Sequence, residues 1–360
     1  MRKLLFGLVF IQQSLMIVAT VQKNEPCLAT VPRKTQKNFI NYGDFKSVCD
    51  VLFLHENREG QAFDPIWFRV KGKANETGQR RIVASAPFDP SAVQPGDLVF
   101  VRRPQSFFES IHPQIHNPYI IITHGNSSSK FKRKYISVLE DSKIIAWFTI
   151  HAGNAVHPKL HPLPLGVRQL PNFSSAGKRL SLKRLCKRLK KTMAKKYLVY
   201  MNFLDRTHPE RKKIRELFEN KPFCLEENKV DFETFMSHMA QSKFTLAPRG
   251  VGPADSFRIW ESLMVGSIPI VKRSRFMDCS LYEGLPVLII DKWEDVTEEF
   301  LEKKYAQMSS LTYSTHKLYM QYWLKKIFTI RDQFLSKEKI VTQSFIEKIL
   351  LVKDKIFGNG

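Results

Sequence analysis

The stretch FTLAPRGVGPADSFRIWESLMVGSIPIV (244–271) restricts the fold more than any other part of this chain. A short apolar run enters a loop with two glycines, two prolines and an arginine. A helical pattern follows, and beyond Gly266 a second apolar run begins. Strand, loop, helix and strand in that order read as a βαβ unit, the building block of a mostly parallel sheet with covered faces. The same alternation recurs along the 360 residues. GDLVFVRR (96–103), NPYIIITHGN (117–126) and SKIIAWFTIHAGN (142–154) carry short, nearly continuous apolar runs, as strands buried on both faces do. KYLVYMNF (196–203) opens a second series. It continues with helical patterns over 208–220 and 231–241, the latter with Asp231 as N-cap, and a strand over 244–247. A helix over 255–265, strands over 267–272 and 286–290, and a helix over 294–306 follow.

These patterns predict an α/β protein of two Rossmann-like domains facing a cleft, with a helix-rich C-terminal tail. The predicted boundaries are a signal peptide or short signal anchor over 1–21 and a lead-in over 22–45. An N-terminal α/β domain spans 46–174 and a basic linker 175–195. A C-terminal α/β domain spans 196–330 and a helical tail 331–360. In open α/β sheets ligands sit beyond the carboxyl ends of the strands, so the cleft is the expected site.

Lys and Arg total 57 against 34 Asp and Glu, a net charge of +23 that points to an anionic partner or to heavily solvated helix faces. The densest run is GKRLSLKRLCKRLKKTMAKK (177–196), with Leu180, Leu182, Leu185 and Leu189 threaded through it. It reads as an amphipathic helix contacting a membrane surface or polyanion, or as a helix linking the domains. No RNP pattern, zinc-finger spacing or helix-turn-helix signature accompanies the charge, which argues against nucleic acid. The five cysteines form no CxxC pair, so no metal site is expected from them. Asn75, Asn126 and Asn172 open N-x-S/T sequons. MRKLLFGLVFIQQSLMIVATV (1–21) places Arg2 and Lys3 before an apolar stretch, as in a secretory signal or anchor.

On a helical wheel of 256–265, Phe257, Ile259, Trp260, Leu263 and Met264 share one arc, and Arg258, Glu261 and Ser262 fall opposite. One reading is the wet side of an ordinary amphipathic helix. The other is a ligand site. Asp255 or Ser256 caps the helix, and its N-terminal N–H groups, with the loop residues Arg249, Gly250 and Gly252, suit a diphosphate. Arg258 is placed to clamp phosphate oxygens bidentately and Glu261 to accept from sugar hydroxyls. No Gly-Lys-Ser/Thr follows the loop, which excludes a Walker site, and the glycines do not form G-x-G-x-x-G. HPKLHPLPLGV (157–167) reads as a rigid strand entry beside the cleft, with Gly166 allowing close approach by substrate.

With those residues in place, SKFTLAPRGVGPADSFRIWESLMVGSIPIV resembles the donor-binding segment of the exostosin-like glycosyltransferases, glycosyltransferase family 47. The likeness rests on Phe244, Leu246, Pro248, Arg249, Gly250, Arg258, Trp260, Glu261, Leu263, Gly266, Ile268 and Pro269. It extends more loosely over 95–325, and departs at Phe257, where the family pattern has a polar residue or His. The resemblance implies a GT-B fold with the nucleotide sugar, UDP-linked, in the C-terminal domain. The acceptor, a glycan or glycoconjugate, lies mainly on the N-terminal one. It implies inverting transfer with a nucleotide-sugar donor as co-substrate, no obligatory cofactor and no metal in the site. The absence of Asp-x-Asp and of a Glu eight residues from Glu261 agrees. Leaving-group charge then falls to Arg258, the loop N–H groups and Arg249. The general base is expected from the N-terminal domain, His124 first, with His151 and His157 as alternatives. Two other readings compete: a GDP-fucose-dependent GT-B enzyme, and a degenerate transferase that binds glycan or polyanion. With the N-terminal segment, nucleotide-sugar chemistry points to the Golgi lumen in a eukaryotic host.

Overall fold

The computed structural model describes residues 39–40, 42–55, 65–69, 89–125, 131–168, 176–252, 255–274 and 277–357. The signal or anchor segment, Cys27 and the three sequon asparagines lie outside them. Among the described residues no helix is long and apolar enough to cross a membrane.

Two sheets, each in its own α/β domain, give the GT-B-type arrangement. Helix α1 (Tyr42–Val48) leads into β1 (Val51–His55), β2 (Pro65–Arg69), β3 (Asp97–Val101), β4 (Tyr119–Thr123), β5 (Ile144–Ile150) and β6 (Leu160–Leu163). Their order is β2-β1-β3-β4-β5-β6. β2 runs antiparallel to β1 and the other pairs are parallel. The unbroken apolar runs follow from two-sided burial. On β4, Ile120 and Ile122 join a core shared with the second domain, while Tyr119 and Ile121 join an outer one.

The second domain begins with α2 (Ala176–Thr192) and continues β7 (Tyr197–Met201), α3 (Pro209–Phe218), β8 (Cys224–Glu226) and α4 (Phe232–Gln241). β9 (Ser242–Leu246), α5 (Phe257–Val265), β10 (Ile268–Lys272), β11 (Leu288–Ile290), α6 (Glu298–Ser309) and α7 (Met320–Phe357) complete it. The strand order is β11-β10-β9-β7-β8, all parallel. The local signals act as expected: Asp231 accepts from the Glu233 and Thr234 N–H groups, and α5 ends at Gly266 in the left-handed region. The chain leaves β7 toward β8 and leaves β9 toward β10, in opposite directions. Such a reversal opens a crevice at the strands' carboxyl ends.

The basic segment does not behave as a linker. Leu182, Cys186 and Leu189 of α2 are buried in one core with Met236 and Met239 of α4 and Leu263 and Met264 of α5. The apolar stripe read as a membrane face is therefore used within the domain, and the cations Arg184, Lys187 and Lys191 stay on the outside. Lys195 also turns inward: its Nζ donates to the carbonyls of Ala240, Ser242 and Gly266 at 2.7–2.8 Å, where α4 and α5 end.

The boundary expected at 330 falls inside α7, a helix of 38 residues. Its first turns bury Trp323, Leu324, Ile327 and Phe328. Leu335, farther along, approaches Gly96 just before β3. α7 thus runs from the second domain back onto the first. At the joint, Ile40 donates to the Leu318 carbonyl at 3.1 Å and accepts from Val167 at 2.9 Å. Gly166 sits there at φ +71, and a Cβ on it would lie 2.3 Å from the Ile40 carbonyl oxygen. Its close neighbour is this chain's own backbone rather than a substrate.

Candidate functional site

A cavity of about 720 Å³ opens at the reversal between β7 and β9. The loops after those two strands and the first turn of α5 form most of it. The N-terminal domain adds Gly125, His151, Leu165 and Arg168 from across the cleft.

The helical wheel puts Arg258, Glu261 and Ser262 on the wet side of α5, but the structure leaves them 8%, 4% and 0% exposed. Phe257, assigned to packing, is half-buried and lines the cavity. α5 lies in the joint, so its polar face meets the other domain and the cavity instead of bulk water. Among the described residues the Arg258 Nε has no hydrogen-bond partner. No carboxylate there comes within the 4.0 Å of an ion pair. Its Cζ stands 5.7 Å from the centre of the Phe235 ring. Burial holds this guanidinium below the usual arginine range, Glu261 favours its charge and Arg168 opposes it. A buried cation without a hydrogen-bonded ion pair weighs against the folded state, and Glu261 offsets part of that cost.

Ser256 occupies the N-cap of α5 with an extended backbone, yet its side chain makes no capping bond. Its buried Oγ has no partner among the described residues. The orphan donors of the first turn, this hydroxyl and Arg258 therefore form one cationic, donor-rich corner.

Asp255 does something other than cap. Its carboxylate accepts from the Leu165 N–H at 2.7 Å, the Ser256 N–H at 2.9 Å, Trp260 Nε1 at 2.9 Å and the Tyr282 hydroxyl at 3.1 Å. Leu165 belongs to the N-terminal domain, so this bond crosses the joint. Burial pushes the Asp255 pKa up to about 6 against those four bonds. The Arg168 backbone N–H also faces Glu261 and favours its charged form. Burial raises the Glu261 pKa, and Arg258 and Arg168 hold it back.

Arg249 is not part of the cavity lining, which does include Gly250, Gly252, Ser256, Arg258 and Glu261. Its carbonyl accepts from Arg211 Nε at 2.9 Å. Arg211, on α3, also donates to Leu204 O at 3.2 Å and Pro248 O at 2.9 Å, gathering the loops after β7 and β9 on one guanidinium. Burial, with Arg258 nearby, pushes its pKa down to about 10. A Cβ at Gly250 would stand 3.3 Å from Arg211 Nη2, so the loop packs close on that group.

His124 lies behind the cavity wall. It is 1% exposed, its ring lies tilted at 34° against Phe45 with centroids 5.0 Å apart, and its Nε2 bonds the Pro164 carbonyl at 2.9 Å. Burial drives its pKa down to about 4, the carbonyl bond working against the drop. A neutral buried imidazole stabilises the fold fully above its ordinary pKa of about 6.5, and that contribution is lost as pH falls toward 4. Between pH 7 and pH 5 the loss amounts to about 2 kcal/mol. The stability advantage of wild type over His124→Gln in urea unfolding is expected to shrink by that amount over this interval; parallel pH curves would contradict it.

His151 is the histidine that lines the cavity. It follows β5 with φ 55, a left-handed backbone uncommon for such a residue and concentrated at functional sites. Its ring packs on the facing loop: a Cβ built on Gly252 would stand 2.5 Å from Cε1 and Nε2. His157 instead bonds Glu140 Oε1 at 3.1 Å and is not part of the lining. The sequence offers Asp255 only as a cap and gives no role to Arg211 or Arg168, because their roles depend on contacts such as Arg211–Arg249 and Asp255–Leu165, 38 and 90 residues apart.

Residues 189–346, just under half of the chain, match the family model RXYLT1 C-terminal domain. Among solved structures, the chain is similar to UDP-GlcNAc 2-epimerase from Methanocaldococcus jannaschii, at 11% identity and TM-score 0.34 over 65% of this chain and 76% of that one. It is similar to AviGT4, a glycosyltransferase involved in avilamycin A biosynthesis, at 11% identity and TM-score 0.32 over 68% and 74%. A glycosyltransferase from Rickettsia africae ESF-5 shows 10% identity and TM-score 0.33 over 73% and 78%. No curated protein sequence matches the chain.

Proposed function

We propose that this chain is an exostosin-like glycosyltransferase. It moves a sugar from a nucleotide-diphosphate sugar, UDP-linked, to a hydroxyl of a glycan or glycoconjugate, with inversion at the anomeric carbon. The observation that carries the reading is Arg258, a buried cation whose Nε has no partner among the described residues, beside the Ser256 hydroxyl, likewise without one there, at a helix N-terminus that its side chain does not cap. That corner suits a diphosphate. Val230, Phe232 and Phe235 offer an apolar wall for the nucleobase in the same cavity. The match of residues 189–346 to the RXYLT1 C-terminal domain supports a glycosyltransferase-like function.

In this reading the acceptor oxygen bonds to the anomeric carbon as the bond from that carbon to the phosphate oxygen breaks. The bonding electrons stay with the departing diphosphate, and Arg258, Ser256 and the α5 N–H groups stabilise its charge. The acceptor proton passes to His151, which lines the cavity from the opposite domain and takes the role expected of His124.

Thermal shift across UDP- and GDP-sugars, UDP and GDP tests the reading. A ligand at a hundred times its Kd stabilises by about 2.7 kcal/mol. UDP-linked donors are expected to raise the melting temperature and to be slowly hydrolysed. A preference for GDP-fucose would move the donor assignment, and no shift with any nucleoside diphosphate would overturn the function.

A further inference from the structure

We infer that Arg168 reaches across the cleft to the sugar-linked phosphate of the donor, so that the bound diphosphate ties the two domains together. This rests on the proposed function, which places a diphosphate beside Arg258. Arg168 ends the segment Leu165–Arg168 of the N-terminal domain, and its side chain is exposed at the cavity wall. The backbone of that segment is held by a carboxylate of the other domain, Leu165 N–H donating to Asp255 at 2.7 Å, and Glu261 of the same domain faces Arg168. The Arg168 guanidinium lies 6.0 Å from the centre of the Phe257 ring, over the first turn of α5.

Three guanidiniums from three segments therefore converge. The charge of Arg168 makes both Arg211 and Arg258 harder to keep protonated. Mutual repulsion of this kind turns into attraction around a group carrying two or three negative charges. The orphaned Ser256 Oγ and Arg258 Nε, both more than nine-tenths buried, line the same cavity and call for an anion there. Transfer takes place between the domains, so the phosphate facing the N-terminal domain is the one bonded to sugar. A nucleoside monophosphate lacks that phosphate. Arg168 should then distinguish diphosphate from monophosphate, which the general positive field of the cavity would do far less.

The test measures binding of UDP, GDP, UMP and GMP by calorimetry to wild type, Arg168→Ala, Arg168→Lys and Arg258→Met. The Arg168 side chain is exposed, so Arg168→Ala is expected to keep the unliganded melting temperature. It should weaken the diphosphate that wild type binds by about ten- to a hundredfold and the matching monophosphate less than about threefold. Arg168→Lys, a point charge without the fork, should fall between. Wild-type diphosphate affinity in Arg168→Ala, with affinity lost in Arg258→Met, would overturn the inference and leave the site reading standing. Equal loss for monophosphate and diphosphate would also overturn it. Failure of wild type to bind either diphosphate would remove the site reading and this inference together.

Discussion

Arg258→Met is expected to lose nucleoside-diphosphate affinity while the unliganded protein stays as stable as the parent or gains stability. The two effects have one cause. A buried guanidinium with no carboxylate at ion-pair distance among the described residues is a burden on the folded state; an apolar side chain of similar length relieves it, and Arg168 still supports Glu261 once Arg258 is gone. The same group, once a phosphate lies against it, makes a charge-assisted and desolvated contact. Its removal should weaken binding by about 2–5 kcal/mol, roughly thirtyfold to several thousandfold. Urea unfolding without ligand and calorimetry with UDP separate the two quantities. Loss of stability together with unaltered UDP affinity would make Arg258 a packing residue and remove the clamp.

The second large effect is expected at His151. A general base contributes about a hundred- to ten-thousandfold to turnover, and its loss leaves donor binding nearly intact. His151→Asn is the suitable replacement, because asparagine tolerates the left-handed backbone that φ 55 imposes. It should lower kcat by that factor and keep the UDP Kd. Added imidazole should restore part of the rate. Turnover at the wild-type level would exclude His151, and parallel loss of UDP binding would show a structural role instead.

Much of the architecture is legible in the sequence because local and global signals agree. Tyr119–Thr123 and Ile144–Ile150 are apolar on both faces and pair within a parallel sheet, with one register shift between Tyr119 and Ile120. Asp231 and Gly266 punctuate helices where their chemistry requires. The failures have a common origin in contacts remote in sequence. α2 reads as a linker because its cations outnumber its leucines, and only the core around Met236 and Leu263 shows where those leucines go. The wheel of α5 separates Arg258 and Glu261 from the packing residues correctly but assumes solvent on their side. A second domain occupies it. Arg249 reads as a phosphate contact through its side chain, whereas its carbonyl, held by Arg211, is what shapes the loop. Asp255 gives no signal beyond a possible cap, since its partner Leu165 lies 90 residues away.

Gly252 and His151 belong to different domains, yet they form a single unit of variation. A methyl group at 252 would occupy the place of the imidazole, so any descendant sequence that gains a side chain there must first shrink or turn the ring opposite. Drift at one position is conditional on the other. A lineage in which 252 has ceased to be glycine should therefore be one in which the imidazole at 151 has been replaced or turned aside. With the imidazole as general base, such a lineage would have changed its chemistry along with its packing.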